Sequence, residues 1–286
     1  MKNAPFFGPG GNSDSFNALK KRTADAPAWV KEFGLDAYEY EAGRGVNGSP
    51  EMFAEIGKNA KEAGIKISIH APYFISLSSL EEEKRLGSAR YIIESAMALK
   101  LMGGETMVIH AGSCAKIDRS TATEYAKGAM HHAISELDKL GLYGLKLGIE
   151  TMGKVNQLGT LDEVLELCTV DETVVPVVDF GHMNAREQGG VFKNSDDYKR
   201  VFDEISKKKG AKYAENLHCH FSKIEYTTGG EKRHLTFEDT VFGPDFEPLM
   251  KAVSDMGITP TFICESDGTQ AEDALTMKKY YLSLKK

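Results

Sequence analysis

The chain has 286 residues, of which 41% are hydrophobic, and its formal net charge at pH 7 is −7. A chain of this length can bury a large core, and no linker or change of composition divides it, so we expect one domain over residues 1–286. The negative charge argues against a protein that coats nucleic acid non-specifically, but it is compatible with a local basic groove or with bound metal cations.

The amino-terminal stretch MKNAPFFGPGGNSDSF lacks the charged-then-apolar pattern of a signal peptide. No run approaches the roughly 18 apolar residues that a membrane span requires. We therefore expect a cytoplasmic protein with no membrane partner. The four cysteines are far apart and form no C-x-x-C pair, so we expect reduced, buried thiols rather than disulfides or a thiolate zinc site.

Eight short runs rich in Val, Ile and aromatic residues recur along the chain, and amphipathic stretches of helical length lie between them. In chain order the runs are NAPFFGPGG, LDAYEYEAG, IKISIHA, ETMVIHAG, LKLGIET, VVPVVDFGH, ENLHCHFS and TPTFICES. The clearest helix follows the third run, where Ser79 and Glu82 fit a capping box and Gly103-Gly104 predict the end. Eight strand–helix units fit an α/β fold of the (β/α)8 TIM-barrel type, for which about 250 residues is typical, better than an open doubly wound sheet.

Polar residues end six consecutive predicted strands, the third to the eighth. Catalytic groups of a TIM barrel lie at this place, where strands end and the following loops begin. One such residue alone would more often be a hydrogen-bonded structural group, whereas a converging ring of imidazoles and carboxylates provides nitrogen and oxygen ligands for zinc or manganese. The residues are His70, His110, Glu150, Asp179, His182, His218, His220 and Glu265.

The motifs SIHAPYF, VIHAGS, IETMG, DFGH, LHCHFSK and ES occur in this order and span nearly the whole chain. They resemble the motifs of the endonuclease IV family of apurinic/apyrimidinic endonucleases, within the xylose isomerase-like barrel superfamily. HAPY and the D-x-x-H pair are the most specific parts. The resemblance implies a DNA-repair hydrolase whose three zinc ions cleave the phosphodiester 5′ to an abasic site in double-stranded DNA. We expect two or three Zn2+ ions, with Mn2+ as an alternative, and a monomer.

The resemblance also implies a role for each ligand. It assigns one zinc ion to His70 and His110, a second to Asp179, His218 and Glu265 with Glu150 as the bridge, and a third to His182 and His234. His218 is preferred to His220 because the family pattern H-x-x-x-S-K matches His218 through Lys223. Glu150 and Glu265 are the expected catalytic residues.

One motif departs from the family, which has D-R-H in its third metal site. This chain has Glu231-Lys232-Arg233-His234 there. Either Lys232 replaces the aspartate and repels a cation, or Glu231 extends its longer side chain into the site from one residue further back. The sequence leaves both alternatives open.

Three residues are candidates for DNA contact. The resemblance implies that Tyr73 enters the DNA near the abasic nucleotide, and packing of its loop is the alternative. Arg44, after the second predicted strand, could contact phosphate or wedge into the duplex, although an exposed loop arginine is more often only solvated. Lys223 could contact phosphate or pair with a neighbouring carboxylate.

A sugar isomerase or epimerase of the same superfamily is the main competing hypothesis. In such enzymes two carboxylates act as acid and base around one divalent ion, typically manganese, and Glu150 and Glu265 could serve that chemistry. The excess of histidine ligands argues against it, because one ion cannot use them all. A metal-dependent DNA-binding barrel without catalytic activity is a third hypothesis.

Overall fold

A computed structural model describes residues 4–285. Its strands are β1 (Phe6–Pro9), β2 (Ala37–Glu41), β3 (Lys66–His70), β4 (Thr106–Ile109), β5 (Lys146–Glu150), β6 (Val174–Asp179), β7 (His218–Phe221), β8 (Lys223–Thr227), β9 (Gly230–Leu235) and β10 (Thr261–Cys264). Eight of them form one parallel sheet in the order β1-β10-β7-β6-β5-β4-β3-β2. A parallel bridge between Gly10 and Glu39 joins the two edges, so the sheet is a nearly closed barrel.

The helices surround this barrel. They are α1 (Asp14–Ala18), α2 (Ala26–Glu32), α3 (Pro50–Ala63), α4 (Glu82–Met102), α5 (Arg119–Lys139), α6 (Leu161–Leu167), α7 (Phe180–Arg186), α8 (Ser195–Lys208), α9 (Ala211–Glu215), α10 (Phe246–Met256) and α11 (Gln270–Ser283), with a short 3-10 helix at Thr23–Asp25. The predicted TIM barrel is confirmed, and each of the eight predicted runs contains a barrel strand. Every residue of β4, β6, β7 and β10 is buried, as expected for parallel strands covered on both faces.

Helix α4 shows one correct and one wrong sequence prediction. It ends at Gly103, whose φ of 71° is the left-handed conformation that favours glycine. The predicted capping box of Ser79 and Glu82 is wrong, because the residue at the N-cap is Glu81 and no side chain caps the helix. The Ser79 hydroxyl instead accepts a hydrogen bond from the Glu81 amide at 3.2 Å, within the loop before the helix.

Strands β8 and β9 form an antiparallel hairpin directly after β7, which the sequence did not predict. The hairpin lies against the loop after β5, since the Glu231 amide donates to the Gly153 carbonyl at 3.0 Å. Gly230 has a φ of +86°, and a Cβ there would lie 2.1 Å from the Gly153 oxygen, so only glycine permits this approach. The hairpin thereby brings β9 over the carboxyl ends of the barrel strands.

The four cysteines are buried and free, as the sequence predicted. Among the helices within residues 4–285, none has the length and apolar character needed to cross a membrane.

Candidate metal centre

Glu150, the last residue of β5, lies at the centre of the candidate site and is fully buried. Its Oε2 is 2.8 Å from His110 Nε2 and 3.5 Å from His70 Nε2. Its Oε1 is 3.0 Å from His220 Nδ1 and 3.4 Å from His182 Nδ1. The carboxylate is therefore shared by four imidazoles that come from different parts of the barrel.

A second group of possible ligands adds Asp179 and Glu265 to Glu150 and His220, with one ligand atom of each within 4.8 Å of all the others. The parallel register explains this convergence, because Asp179 of β6 pairs with His220 of β7 and His220 pairs with Ile263 of β10. Glu265 follows β10 two residues after Ile263. Three neighbouring strands thus bring polar side chains together at the carboxyl end of the barrel.

A third group contains His182, Glu231 and His234, again with ligand atoms within 4.8 Å of one another. His182 lies in the first turn of α7, and its amide donates to Asp179 Oδ1 at 2.6 Å. Its Nε2 is 3.4 Å from Glu231 Oε2. Lys232 is directed away, since its ammonium donates to Glu225 at 2.5 Å. Of the two alternatives left open by the sequence, the geometry favours Glu231 as the acidic member of this group.

The structure brings His220, rather than His218, into the group with Asp179 and Glu265. Both side chains point into the barrel because residues two apart on a strand share a face. His218 is the first residue of β7 and lies deeper, where its Nε2 donates to Glu39 Oε2 at 2.8 Å. The sequence-based choice of His218 is corrected here, because the H-x-x-x-S-K spacing carries no information about depth in the barrel.

The site also contains two acidic residues that were not predicted from the sequence, Glu39 and Glu41 of β2. Glu39 is fully buried, and Glu39, Glu41 and Glu265 also place carboxylate oxygens within 4.8 Å of one another. Burial raises the pKa of Glu41 to about 8. A signal was available, because YEYE sets two glutamates on one face of a strand that a barrel must bury.

These residues fit divalent cations. Within residues 4–285, the buried oxygens Glu150 Oε2 and Asp179 Oδ2 form no well-aligned hydrogen bond, although His110 Nε2 lies 2.8 Å from Glu150 Oε2 and an unpaired buried polar atom is costly. The surrounding donors are imidazole nitrogens and carboxylate oxygens, which suit zinc or manganese. Bound cations would supply the missing partners.

The acid–base balance of the site follows from burial and close charges. Burial raises the pKa of Asp179 to about 6. Burial alone would also raise the pKa of Glu265, but attraction to His220 outweighs it and lowers that pKa to about 2. Burial alone would lower the pKa of His70, yet Glu150 and other carboxylates raise it to about 10. Imidazoles must be neutral to bind a metal, so metal binding here would release protons.

The site opens into a cavity of about 350 Å³ at the carboxyl ends of the strands. Lys154 and Gln157, on the loop after β5, line it together with the histidines and were not predicted. Tyr73 also lines it, with 56% of its surface exposed. Its ring stacks on His110 with a centroid distance of 5.3 Å and an interplanar angle of 20°. The cavity is therefore lined by the ammonium of Lys154 and the aromatic ring of Tyr73 beside the candidate metal ligands.

The two basic residues predicted to contact DNA have different placements. Arg44 is exposed on the loop after β2, beside Tyr73, whose amide donates to the Gly43 carbonyl at 3.0 Å. Lys223 is buried, donates to the Asp239 carbonyl at 2.6 Å and lies 3.1 Å from Asp245 Oδ1. A buried, paired ammonium is not available to a DNA phosphate, so the prediction for Lys223 is corrected to pairing within the protein.

Comparisons with known proteins agree with this architecture. The xylose isomerase-like TIM barrel family matches residues 27–280. An uncharacterized protein of Methanocaldococcus jannaschii is 33% identical over 253 residues, which cover 88% of this chain and 89% of that protein. A probable endonuclease 4 of Acholeplasma laidlawii is 28% identical over 201 residues, which cover 68% of this chain and 65% of that protein.

Two solved structures illustrate the range of proteins with this fold. Endonuclease IV from Thermus thermophilus has a TM-score of 0.70 at 17% identity, covering 98% of this chain and 100% of that one. A D-tagatose 3-epimerase-like protein has a TM-score of 0.72 at 18% identity, covering 98% and 97%. At such identities the likeness shows the fold alone, whereas the sequence match over residues 27–280 shows that the chain belongs to the xylose isomerase-like TIM barrel family.

Proposed function

We propose that this protein is a zinc-dependent endonuclease of DNA repair that hydrolyses the phosphodiester 5′ to abasic sites in double-stranded DNA. The observation that carries the proposal is the number of ligands around Glu150. The groups His70–His110–Glu150, Glu150–Asp179–His220–Glu265 and His182–Glu231–His234 are three contiguous sets of nitrogen and oxygen donors. Such a set exceeds what one ion can use and suits two or three.

Phosphodiester hydrolysis explains why several cations would be needed. When bound, closely spaced divalent ions lower the pKa of a water molecule, neutralise phosphate oxygens and stabilise the leaving oxygen. Glu150 is placed to bridge two of the three groups, and Glu265, which follows β10, completes the second group beside His220. Cations held by these carboxylates would also present a positive mouth to DNA, which offsets the net charge of −7.

The mouth also offers groups that could engage a distorted duplex. Tyr73 exposes more than half of its surface directly above His110, where an aromatic ring can stack on a base or replace one. Arg44 is exposed on the adjacent loop and can contact phosphate. A nucleotide without its base leaves the stack at small cost, so a narrow pocket beneath Tyr73 would select abasic sites.

A sugar isomerase or epimerase is the second candidate, and one observation favours it. Glu150, Asp179, His220 and Glu265 by themselves form a complete site for a single divalent ion, with two glutamates as possible acid and base. The fold of a D-tagatose 3-epimerase-like protein is also similar. This reaction would leave six donors in the other two groups unused: His70, His110, His182, Glu231, His234 and the second oxygen of Glu150.

The deciding experiment offers both substrates to one zinc-loaded sample without added magnesium. We expect incision of a duplex that carries one abasic site, with a 3′-hydroxyl product, and no incision of the undamaged duplex. Elemental analysis should find at least two ions per chain, and a strong chelator should abolish incision. Intact abasic duplex, together with epimerisation of a ketohexose and a stoichiometry near one, would establish the second candidate instead.

We further propose that residues 1–286 form one domain that acts as a monomer. Light scattering coupled to size exclusion should then give a mass near 31.4 kDa. A mass of twice that value would contradict the monomer.

A further inference from the structure

We propose that Glu39 and His218 form a buried pair that orients His220, so that His220 Nδ1 faces Glu150, Asp179 and Glu265 as a metal-binding atom. Glu39 and His218 are positioning residues, because both lie below the candidate ligands. The inference rests on the metal site of the proposed function and is independent of the reaction that the site catalyses.

The geometry places Glu39 between two imidazoles. Its Oε2 accepts a hydrogen bond from His218 Nε2 at 2.8 Å, and its Oε1 lies 2.8 Å from His220 Nε2. The three side chains are 0%, 6% and 0% exposed in the order Glu39, His218 and His220. In such surroundings each buried polar atom needs a partner, and the hydrogen bond between His218 Nε2 and Glu39 Oε2 satisfies one atom of each residue.

The two nitrogens of His220 face opposite ways. Nδ1 is 3.0 Å from Glu150 Oε1 and 3.3 Å from Glu265 Oε1, whereas Nε2 faces Glu39. A neutral imidazole has one N–H and one lone pair, so a proton held on Nε2 beside Glu39 leaves the Nδ1 lone pair for a cation. A carboxylate behind a metal-binding histidine fixes its tautomer and ring orientation in this way.

His220 and Glu39 are close enough for a hydrogen bond, but its angle is unfavourable in this structure. His220 Nε2 and Glu39 Oε1 approach to 2.8 Å, but the N–H does not point along that line, and neither atom has another partner within residues 4–285. In this structure Nδ1 is instead engaged with Glu150. A cation at Nδ1 would replace that hydrogen bond and allow the ring to turn its Nε2–H onto Glu39, which satisfies both atoms.

His218 completes the arrangement by holding the carboxylate. Without it, Glu39 Oε2 would be a buried anionic oxygen with no hydrogen bond. The Glu39 backbone is also restrained, because its carbonyl accepts from the Gly11 amide at 2.9 Å and the residue bridges to Gly10 where the barrel closes. The H-x-H spacing on β7 thus supplies one candidate ligand and, two residues earlier, the support for its carboxylate partner.

Titration of metal-free protein with Zn2+ against a chromogenic chelator tests the proposal. In Glu39→Gln we expect one bound ion per chain to weaken about tenfold or more, since outer partners of metal-binding histidines contribute about 10–100-fold to affinity. The other ions should keep their wild-type affinity. In the Co2+-loaded protein, the absorption bands of the one ion beside His220 should change, and the bands of the other ions should not. His218→Gln should cause the same change to a smaller extent, because the Glu39 charge remains.

Tyr38→Phe is the matched control, because Tyr38 is a buried residue on the opposite face of the same strand and the change removes its hydrogen bond of 2.8 Å to Asn12. It should leave zinc affinity unchanged. Wild-type affinity in folded Glu39→Gln would overturn the proposal. So would the loss of a whole extra ion with the remaining affinities intact, since Glu39, His218 and His220 would then be a metal site themselves. If Glu39→Gln does not fold, unchanged affinity in His218→Gln overturns it.

These outcomes differ from failure of the proposed function. Weakened zinc in Glu39→Gln, in a protein that leaves abasic duplex intact, would support the positioning pair and reject the endonuclease. Wild-type protein that binds no zinc or cobalt would reject both.

Discussion

The two ends of the barrel contain cavities of similar size whose lining residues differ in type. The mouth holds about 350 Å³ lined by imidazoles and carboxylates, whereas the base holds about 360 Å³ lined by Lys66, Lys146 and Lys212. Two of these lysines are engaged, since Lys66 donates to the Thr261 hydroxyl at 2.8 Å and Lys146 pairs with Glu105 at 3.2 Å. Cavity volume therefore does not locate the chemistry; the residues that end the strands do.

The largest expected effect is at the centre of the mouth. Glu150→Gln removes the charge shared by four imidazoles. Residues that only support a metal ligand contribute about 10–100-fold to activity, so we expect the loss of this direct candidate ligand to lower activity by at least about 100-fold. Stability of the metal-free protein should change little. The matched variant at the base, Glu172→Gln, lines the other cavity and should keep full activity. Equal losses of activity and stability in Glu150→Gln would make Glu150 a structural residue.

The third ligand group should show an intermediate effect. Glu231→Gln and His234→Ala should each lower the zinc stoichiometry by about one ion. In either variant the third group keeps only two of its three donors. Lys232→Ala is the control on the same strand, since its ammonium pairs with Glu225 outside the group. Unchanged stoichiometry in both ligand variants, measured by elemental analysis, would show that the mouth binds only the ions of the first two groups.

Tyr73→Ala should have a smaller and more selective effect. The ring is exposed above His110, so its loss should slow incision of abasic duplex by about 5- to 150-fold, the range for about 1–3 kcal/mol of aromatic stacking. Incision of a flexible abasic single strand should change less, because no base stack must be opened. Phe74→Ala is the control, with the same 56% exposure but contact with Tyr91 instead. Equal slowing of both substrates would assign Tyr73 to loop packing.

Glu163→Gln should leave neutral-pH activity nearly unchanged but lower the melting temperature at neutral pH, by an amount that disappears in acid. Burial alone would raise the Glu163 pKa, but hydrogen bonds from Arg119 and from the Gly159 and Thr160 amides lower it to about 2, below its ordinary 4.5. Its stabilising contribution is therefore complete above about pH 4.5 and is lost as the pH falls through about 2. The melting temperatures of wild type and variant should converge as the pH falls from about 4.5 to about 2. A constant difference over this range would contradict the lowered pKa of Glu163.

The strands that carry the candidate ligands were predictable because their signals are local. A buried parallel strand must be an apolar run, and a polar residue that ends such a run faces the loop side of a barrel. His70, His110, Glu150, Asp179 and Glu265 were identified on this basis. Glu39 was not, because it lies within a strand and only the closed barrel shows that it faces the imidazoles of β7.

By itself the sequence determined the fold, the eight barrel strands along the chain and most of the residues that meet at the mouth, since these depend on periodicity and on where each strand ends. Tertiary structure alone decided which histidine of H-x-H lies beside Glu150 and Asp179, that Glu231 rather than Lys232 faces His182, and that Lys223 is buried. These outcomes depend on the depth of a side chain in the barrel and on how an unpredicted hairpin folds over it. Depth and long-range packing arise from contacts between residues far apart in the chain, and no local pattern encodes them.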